Sequence, residues 1–245
     1  MTTQTWHWEQ RHTALQNLFD GLPQNLSAIW GFEQALALAA THTLNAPSCI
    51  DFMKFLPTRY GFTSHGEFDV SQPVVWQNQH QWTEGDKQAK LHVGLQAFCR
   101  GELVAEYELE YCQRAPRSKP QPVEESIFSQ QRKVDWPNAH ERYKQFLEAL
   151  SWPDPIYSND EFAQAMGFPR RILNDFFVFA ALWFEGQKLL PTVHALHVMC
   201  GQPAMAVGHL DLMWDNSDQG VEGRVTDETG RPIFTHFQMH EKQGA

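Results

Sequence analysis

Asn174 and Asp175 stand side by side near the head of RILNDFFVFAALWFEG (Arg171–Gly186), a segment that is apolar nearly all round beyond its first turn. Helix capping explains one polar residue at such a place. Two of them facing the start of a buried helix call for partners or for chemistry, because a polar group taken out of water without a hydrogen bond costs roughly 2–7 kcal/mol. A carboxylate held there is the raw material of general acid–base catalysis. Two effects pull its pKa in opposite directions: the positive end of the helix favours the anion and weakens the base, whereas desolvation beside Phe176 and Trp152 strengthens it. The sequence leaves that balance open.

A second stretch invites the same question. SWPDPIYSNDEF (151–162) crowds two prolines, three acids, a tryptophan and a tyrosine between two helical patterns. Pro153 and Pro155 forbid helix and bias Trp152 and Asp154 towards extended backbone, so the loop has a fixed shape. Tyr157, with an ordinary pKa of about 10, is protonated at neutral pH and offers a hydrogen-bond donor. Asp154 reads either as a base or as a turn residue, and Trp152 and Tyr157 either as site residues or as aromatic filling. No metal is expected: His194 and His197 fall on opposite faces of a strand pattern, and His236 and His240 have no acids at ligand spacing. No glycine-rich phosphate loop, nucleophile elbow or dinucleotide fingerprint is present, and no cofactor is expected.

The elements that would position these residues fall into two halves. APRSKPQPVEES (115–126), with three prolines and no apolar periodicity, reads as a linker between residues 1–114 and 127–245. Each half carries an apolar helical pattern, Leu26–Leu44 in the first and Arg171–Gly186 in the second, with Gly186 placed as a C-cap. Each ends in an alternating hairpin, Lys90–Cys112 around Arg100-Gly101 and Val221–His240 around Thr229-Gly230. Before the proline-rich loop, Asn138–Ser151 has helical spacing. After it, Ser158 with Glu161 reads as a capping box for a short helix that ends at Gly167. A central apolar helix followed by antiparallel strands, twice over, predicts an α+β double hot-dog fold, its two sheets joined edge to edge and each wrapped around its helix.

Composition bounds the surroundings. Nineteen basic residues against 29 acidic give a net charge of −10, which disfavours nucleic acid and anionic membranes. No apolar run of membrane-spanning length and no secretory signal are read, so a cytoplasmic location is the expectation. Cys49, Cys99, Cys112 and Cys200 lie singly in apolar stretches and read as buried free thiols.

The run from Tyr143 to Trp183, YKQFLEALSWPDPIYSNDEFAQAMGFPRRILNDFFVFAALW, resembles the core of the MaoC-like dehydratases, the (R)-specific enoyl-CoA hydratase family. In that family a loop of the form S-G-D-x-N-P-I-H leads through a short helix into G-F-x-x-x-I-x-H-G-M, which opens the buried helix. The resemblance places the family's catalytic aspartate on Trp152, its loop asparagine on Asp154 and its catalytic histidine on Tyr157. The later histidine, glycine and methionine fall on Asn174, Asp175 and Phe176. It implies hydration of enoyl thioesters or dehydration of 3-hydroxyacyl thioesters, as in fatty acid metabolism, with a backbone N–H at the buried helix polarising the carbonyl. Asp154, Tyr157, Asn174 and Asp175 are then the candidate catalytic residues, and Trp152 and Phe176 line the substrate. Arg170 and Arg171 either reach the phosphates of coenzyme A or a phosphopantetheine arm, or form a solvated pair.

Three functions are open at this point. The first is a hydratase or dehydratase with a rearranged site, acting on acyl-CoA or carrier-bound thioesters, free coenzyme A being favoured by the acidic charge. The second is a thioesterase centred on Asp175. The third is a non-catalytic hot dog that binds an acyl chain or steadies a related partner, as a homodimer or with another hot-dog subunit.

Overall fold

The computed structural model describes residues 2–4, 55–66, 69, 72–84, 88–113, 127–135, 143–144, 155–205 and 208–242. The expected first helix (26–44), the linker (115–126), Cys49, Trp152, Asp154 and most of the helix expected over 138–151 lie outside them.

Ten strands make one antiparallel sheet: β1 (Thr2–Gln4), β2 (Phe55–Ser64), β3 (Val74–Glu84), β4 (Ala89–Cys99), β5 (Glu102–Gln113), β6 (Gln130–Asp135), β7 (Val193–Cys200), β8 (His209–Ser217), β9 (Gly220–Asp227) and β10 (Pro232–Glu241). Their order is β1-β3-β4-β5-β2-β7-β10-β9-β8-β6. The two expected sheets are therefore one, joined where β2 pairs with β7 from Arg59↔Met199 to Thr63↔Ala195. That pairing gives each strand a partner along an edge it would otherwise leave open.

The alternating stretches become the predicted hairpins. Val93, Leu95, Tyr107 and Leu109 point inward while Lys90, His92 and Glu108 stay exposed. Arg100 and Gly101 both have positive φ, 54° and 85°, the backbone that a two-residue turn matching the strand twist requires. The second hairpin, β9 to β10, turns through Gly230 at φ 78°.

Two helices lie among the described residues of the second half, α1 (Asp160–Ala165) and α2 (Asp175–Leu189). The sheet encloses α2: Phe176, Phe177, Val178, Phe179, Ala180, Ala181, Leu182 and Trp183 are all buried. Its partners come from both halves. Trp183 meets Phe62 of β2 edge to face at 4.8 Å, and Phe179 meets Tyr60 of β2 at 6.2 Å. Among the described residues, the main hydrophobic cluster thus draws on both halves.

Two terminal signals shift. The α1 cap is Asn159, whose side chain accepts the Phe162 N–H, rather than Ser158. Gly186 lies inside α2 rather than at its end, because the helix runs on to Leu189. A Cβ at Gly186 would sit 2.5 Å from Met239 Sδ of β10, so its missing side chain serves packing. Gly167, at φ 90°, does follow the end of α1 as expected.

Candidate active site at the start of the buried helix

The first turn of α2 is pinned from several sides. The Leu173 N–H donates to Ala204 O at 2.7 Å, the Ile172 N–H to Ile156 O at 3.3 Å, and Ile172 bridges to Met205. Asn174 caps the helix: its Oδ1 accepts the Phe176 N–H at 2.8 Å, while its own N–H donates to Tyr143 Oη at 2.6 Å. The Tyr143 hydroxyl in turn donates to Ile172 O at 3.4 Å. The Asn174 side chain, itself buried, is thereby committed to holding the turn.

Asp175 is the first residue of α2, and neither its backbone N–H nor its carboxyl has a hydrogen-bond partner among the described residues. Burial pushes the carboxyl up to about 7 from an ordinary 3.8. Desolvation is the cause of this rise, one of the two effects that the sequence left open. A carboxyl titrating near neutrality can both take and return a proton under working conditions.

Asp175 opens onto a cleft of about 290 Å³. Leu56 and Pro57 of β2, Phe168 and Ile233 give it apolar walls; Cys200, Gln202 and Arg231 add polar groups. Burial, then the charge at Asp175, pushes the Cys200 thiol well up, so it stays protonated and is no nucleophile. Of the thiols expected to be buried, Cys99 and Cys112 are, whereas Cys200 is partly exposed in this cleft.

Two tyrosines of the first half reach the same neighbourhood. Burial raises both the Tyr60 and the Tyr111 hydroxyl well above the usual tyrosine range. Charges at Asp175 and Tyr157 would push Tyr111 and Tyr143 further the same way, after burial itself. Tyr157 ends a 3₁₀ turn (Pro155–Tyr157) and is half-buried against both the main core and the Ile156–Ile172–Met205 group.

The other expected site residues are placed differently. Phe176 points into the core and does not line the cleft. The Arg171 N–H donates to Asp160 Oδ1 at 2.8 Å, with its guanidinium 3.8 Å from the same oxygen, which ties the lead-in of α2 to α1. Arg170 is exposed. Sequence reasoning missed Tyr60, Tyr111, Gln202 and Arg231. The tyrosines sit at inward positions of alternating strands, a signal that marks core, and nothing in the linear chain places Arg231 on the same cleft as Asp175.

Solved structures share this fold. HtdX from Mycobacterium tuberculosis superposes with a TM-score of 0.72 at 14% identity, covering 99% of both chains. The fold is that of the MaoC-like dehydratases. A MaoC-like dehydratase from Phytophthora capsici matches at TM-score 0.66 and 11% identity over 80% of this chain and 74% of its own. A conserved hypothetical protein of Mycobacterium tuberculosis, described as having a double hot-dog fold, matches at 0.53 and 12% over 96% and 92%. At these identities the likeness to MaoC-like dehydratases is one of fold. No protein-family model matches the sequence, and no curated protein does.

Proposed function

We propose that this chain is a hydratase or dehydratase of acyl thioesters, built on the MaoC-like fold but with Asp175 as its acid–base group. The observation that carries the reading is the Asp175 carboxyl, unpaired among the described residues, poised near neutrality by burial and open to a cleft. In the hydration direction the carboxylate takes a proton from water as the oxygen adds to Cβ of a trans-2-enoyl thioester. The electron pair of the double bond moves through Cα onto the carbonyl oxygen, and the Asp175 backbone N–H stabilises the resulting enolate oxygen. The protonated carboxyl then returns its proton to Cα as the carbonyl reforms, so the enzyme ends as it began. Dehydration is the reverse.

The remaining residues support this in graded ways. Tyr157 would supply a hydrogen bond to the attacking oxygen. Trp152 and Asp154 precede it on the same loop and belong to the same proposal as wall and polar contact. Asn174 acts by holding the helix turn that aims Asp175. The alternative of a scaffold without activity fits less well, since an open cleft beside a near-neutral acid is what a filled-in site would lack.

The test is direct. Crotonyl-CoA hydration, followed by loss of the conjugated enoyl thioester absorbance, should proceed with the purified chain. Asp175→Asn should lower kcat by roughly 10²–10⁴, the usual worth of a general base. Because Asp175 must be ionised to accept the proton, the hydration rate should rise with pH through about 7 and then level off, and this step should vanish in Asp175→Asn. Absence of both turnover and thioester binding sinks the proposal; release of free thiol without hydration assigns thioester hydrolysis instead.

A further inference from the structure

We infer that the cleft selects an acyl thioester whose acyl unit carries a carboxylate, gripped by the guanidinium of Arg231 together with Gln202. The inference rests on the reading of Asp175 as the reacting end and names the substrate class of that same site.

Arg231 is held ready rather than loosely exposed. Its Nε donates to Gln202 Oε1 at 3.0 Å, and its backbone N–H donates to Asp227 Oδ1 at 3.1 Å. That Asp227 oxygen also accepts the N–H and hydroxyl of Thr229 at 2.9 and 2.6 Å, so the buried carboxylate serves the β9–β10 turn. No carboxylate among the described residues forms an ion pair with the Arg231 guanidinium. In a chain with 29 acidic and 19 basic residues, a half-buried arginine that lines a cleft and has no ion-pair partner among the described residues is an anion site in waiting.

The backbone around it is built for closeness. The Gly201 N–H donates to Ile233 O at 2.7 Å and the Gln202 N–H to Pro232 O at 2.9 Å, clamping the exit of β7 against the start of β10. A Cβ at Gly201 would fall 2.4 Å from Pro232 O, so any other residue would force the two segments apart. The same exit segment continues to Ala204, which accepts from Leu173 just ahead of Asp175. One short stretch thus fixes Gln202 and Arg231 relative to the acid.

Size identifies the anion. Asp175 and Arg231 both line one small cleft of about 290 Å³. The phosphate of a pantetheine arm stands roughly 15 Å from its thioester, by the reach of an extended amide chain, and cannot lie beside Arg231 while the reacting carbons lie beside Asp175. A carboxylate a few bonds beyond the double bond can. A guanidinium takes it in two parallel hydrogen bonds.

The experiment compares crotonyl and glutaconyl thioesters, which differ by a terminal carboxylate, each on coenzyme A and on N-acetylcysteamine, which has no phosphate. The wild-type chain should favour the glutaconyl over the crotonyl unit by roughly ten- to hundredfold in kcat/KM on either carrier, the worth of a charge-assisted bidentate contact. Arg231→Gln should bring that ratio towards one, chiefly through KM, and Arg231→Lys should restore part of it. No preference in the wild type, or a loss in Arg231→Gln confined to the coenzyme A substrates, overturns the inference. A separate binding measurement keeps it distinct from the fate of the proposed reaction. Saturated glutaryl-N-acetylcysteamine should bind more tightly than the butyryl analogue to the wild type and not to Arg231→Gln, whether or not any enoyl thioester is turned over; equal binding to the wild type overturns it.

Discussion

The acid–base role proposed for Asp175 carries a structural cost. Below pH 4 its carboxyl is protonated in both the folded chain and the unfolded one, and folding is indifferent to it. Between about 4 and 7 the unfolded chain ionises while the native chain resists, so stability falls as pH rises through that window. At about 1.4 kcal/mol per tenfold change in proton affinity the loss is at most about 4 kcal/mol above pH 7, reduced by whatever water reaches the partly exposed side chain. Asp175→Asn should accordingly unfold at a higher temperature than the wild type at pH 8, with the gain shrinking to near zero at pH 4. Urea titrations at the two pH values check this, and an equal effect at both would contradict the assigned burial cost. At this scale the sequence was legible in part. Two polar residues heading an apolar helix marked the candidate site, but only three-dimensional packing showed that Asn174 is spent on the cap and that Asp175 has no hydrogen-bond partner among the described residues.

Periodicity located α2 and the two hairpins, since alternation and apolar stripes are local. Their ends were harder to place, because caps and breaks compete with tertiary contacts. Gly186 reads as a stop signal along the chain, yet α2 passes through it, as Met239 needs the room and three more residues find helical partners. Gly223 on β9 makes an informative contrast. A Cβ there would fall 2.1 Å from the Met213 carbonyl oxygen and 2.7 Å from the Phe237 ring, neither of which can swing aside. Met239 is the end of a flexible chain, and alanine gains about 1 kcal/mol over glycine inside a helix. Gly186→Ala should therefore change stability by no more than about 1 kcal/mol, while Gly223→Ala should cost about 2 kcal/mol or more through forced backbone movement. Chemical denaturation of the two variants decides, and the reverse ranking would show that Met239 is locked in place.

Across the described residues, strands from both sides of the expected linker share one sheet and one main hydrophobic cluster. Linear patterning predicted the edge-to-edge union but not which strands would make it, since hydrogen-bond partners are chosen by what remains unpaired after folding. Nor did it show that Trp183 of the second half leans on Phe62 of the first. Phe62→Ala should cost about 3–5 kcal/mol, as for other buried aromatics, and should lower the midpoint of a single unfolding transition. Calorimetry that resolved two transitions, with only the earlier one moved, would mean that the halves melt separately.

The β2–β7 seam also settles how the cleft is assembled. Leu56 and Pro57 reach Asp175 from a strand far away in sequence, yet both walls belong to one polypeptide. Covalent connection keeps the two at a high effective concentration that does not change with the amount of protein in solution. What a pair of separate hot dogs would have to achieve by meeting, this chain carries with it at any dilution.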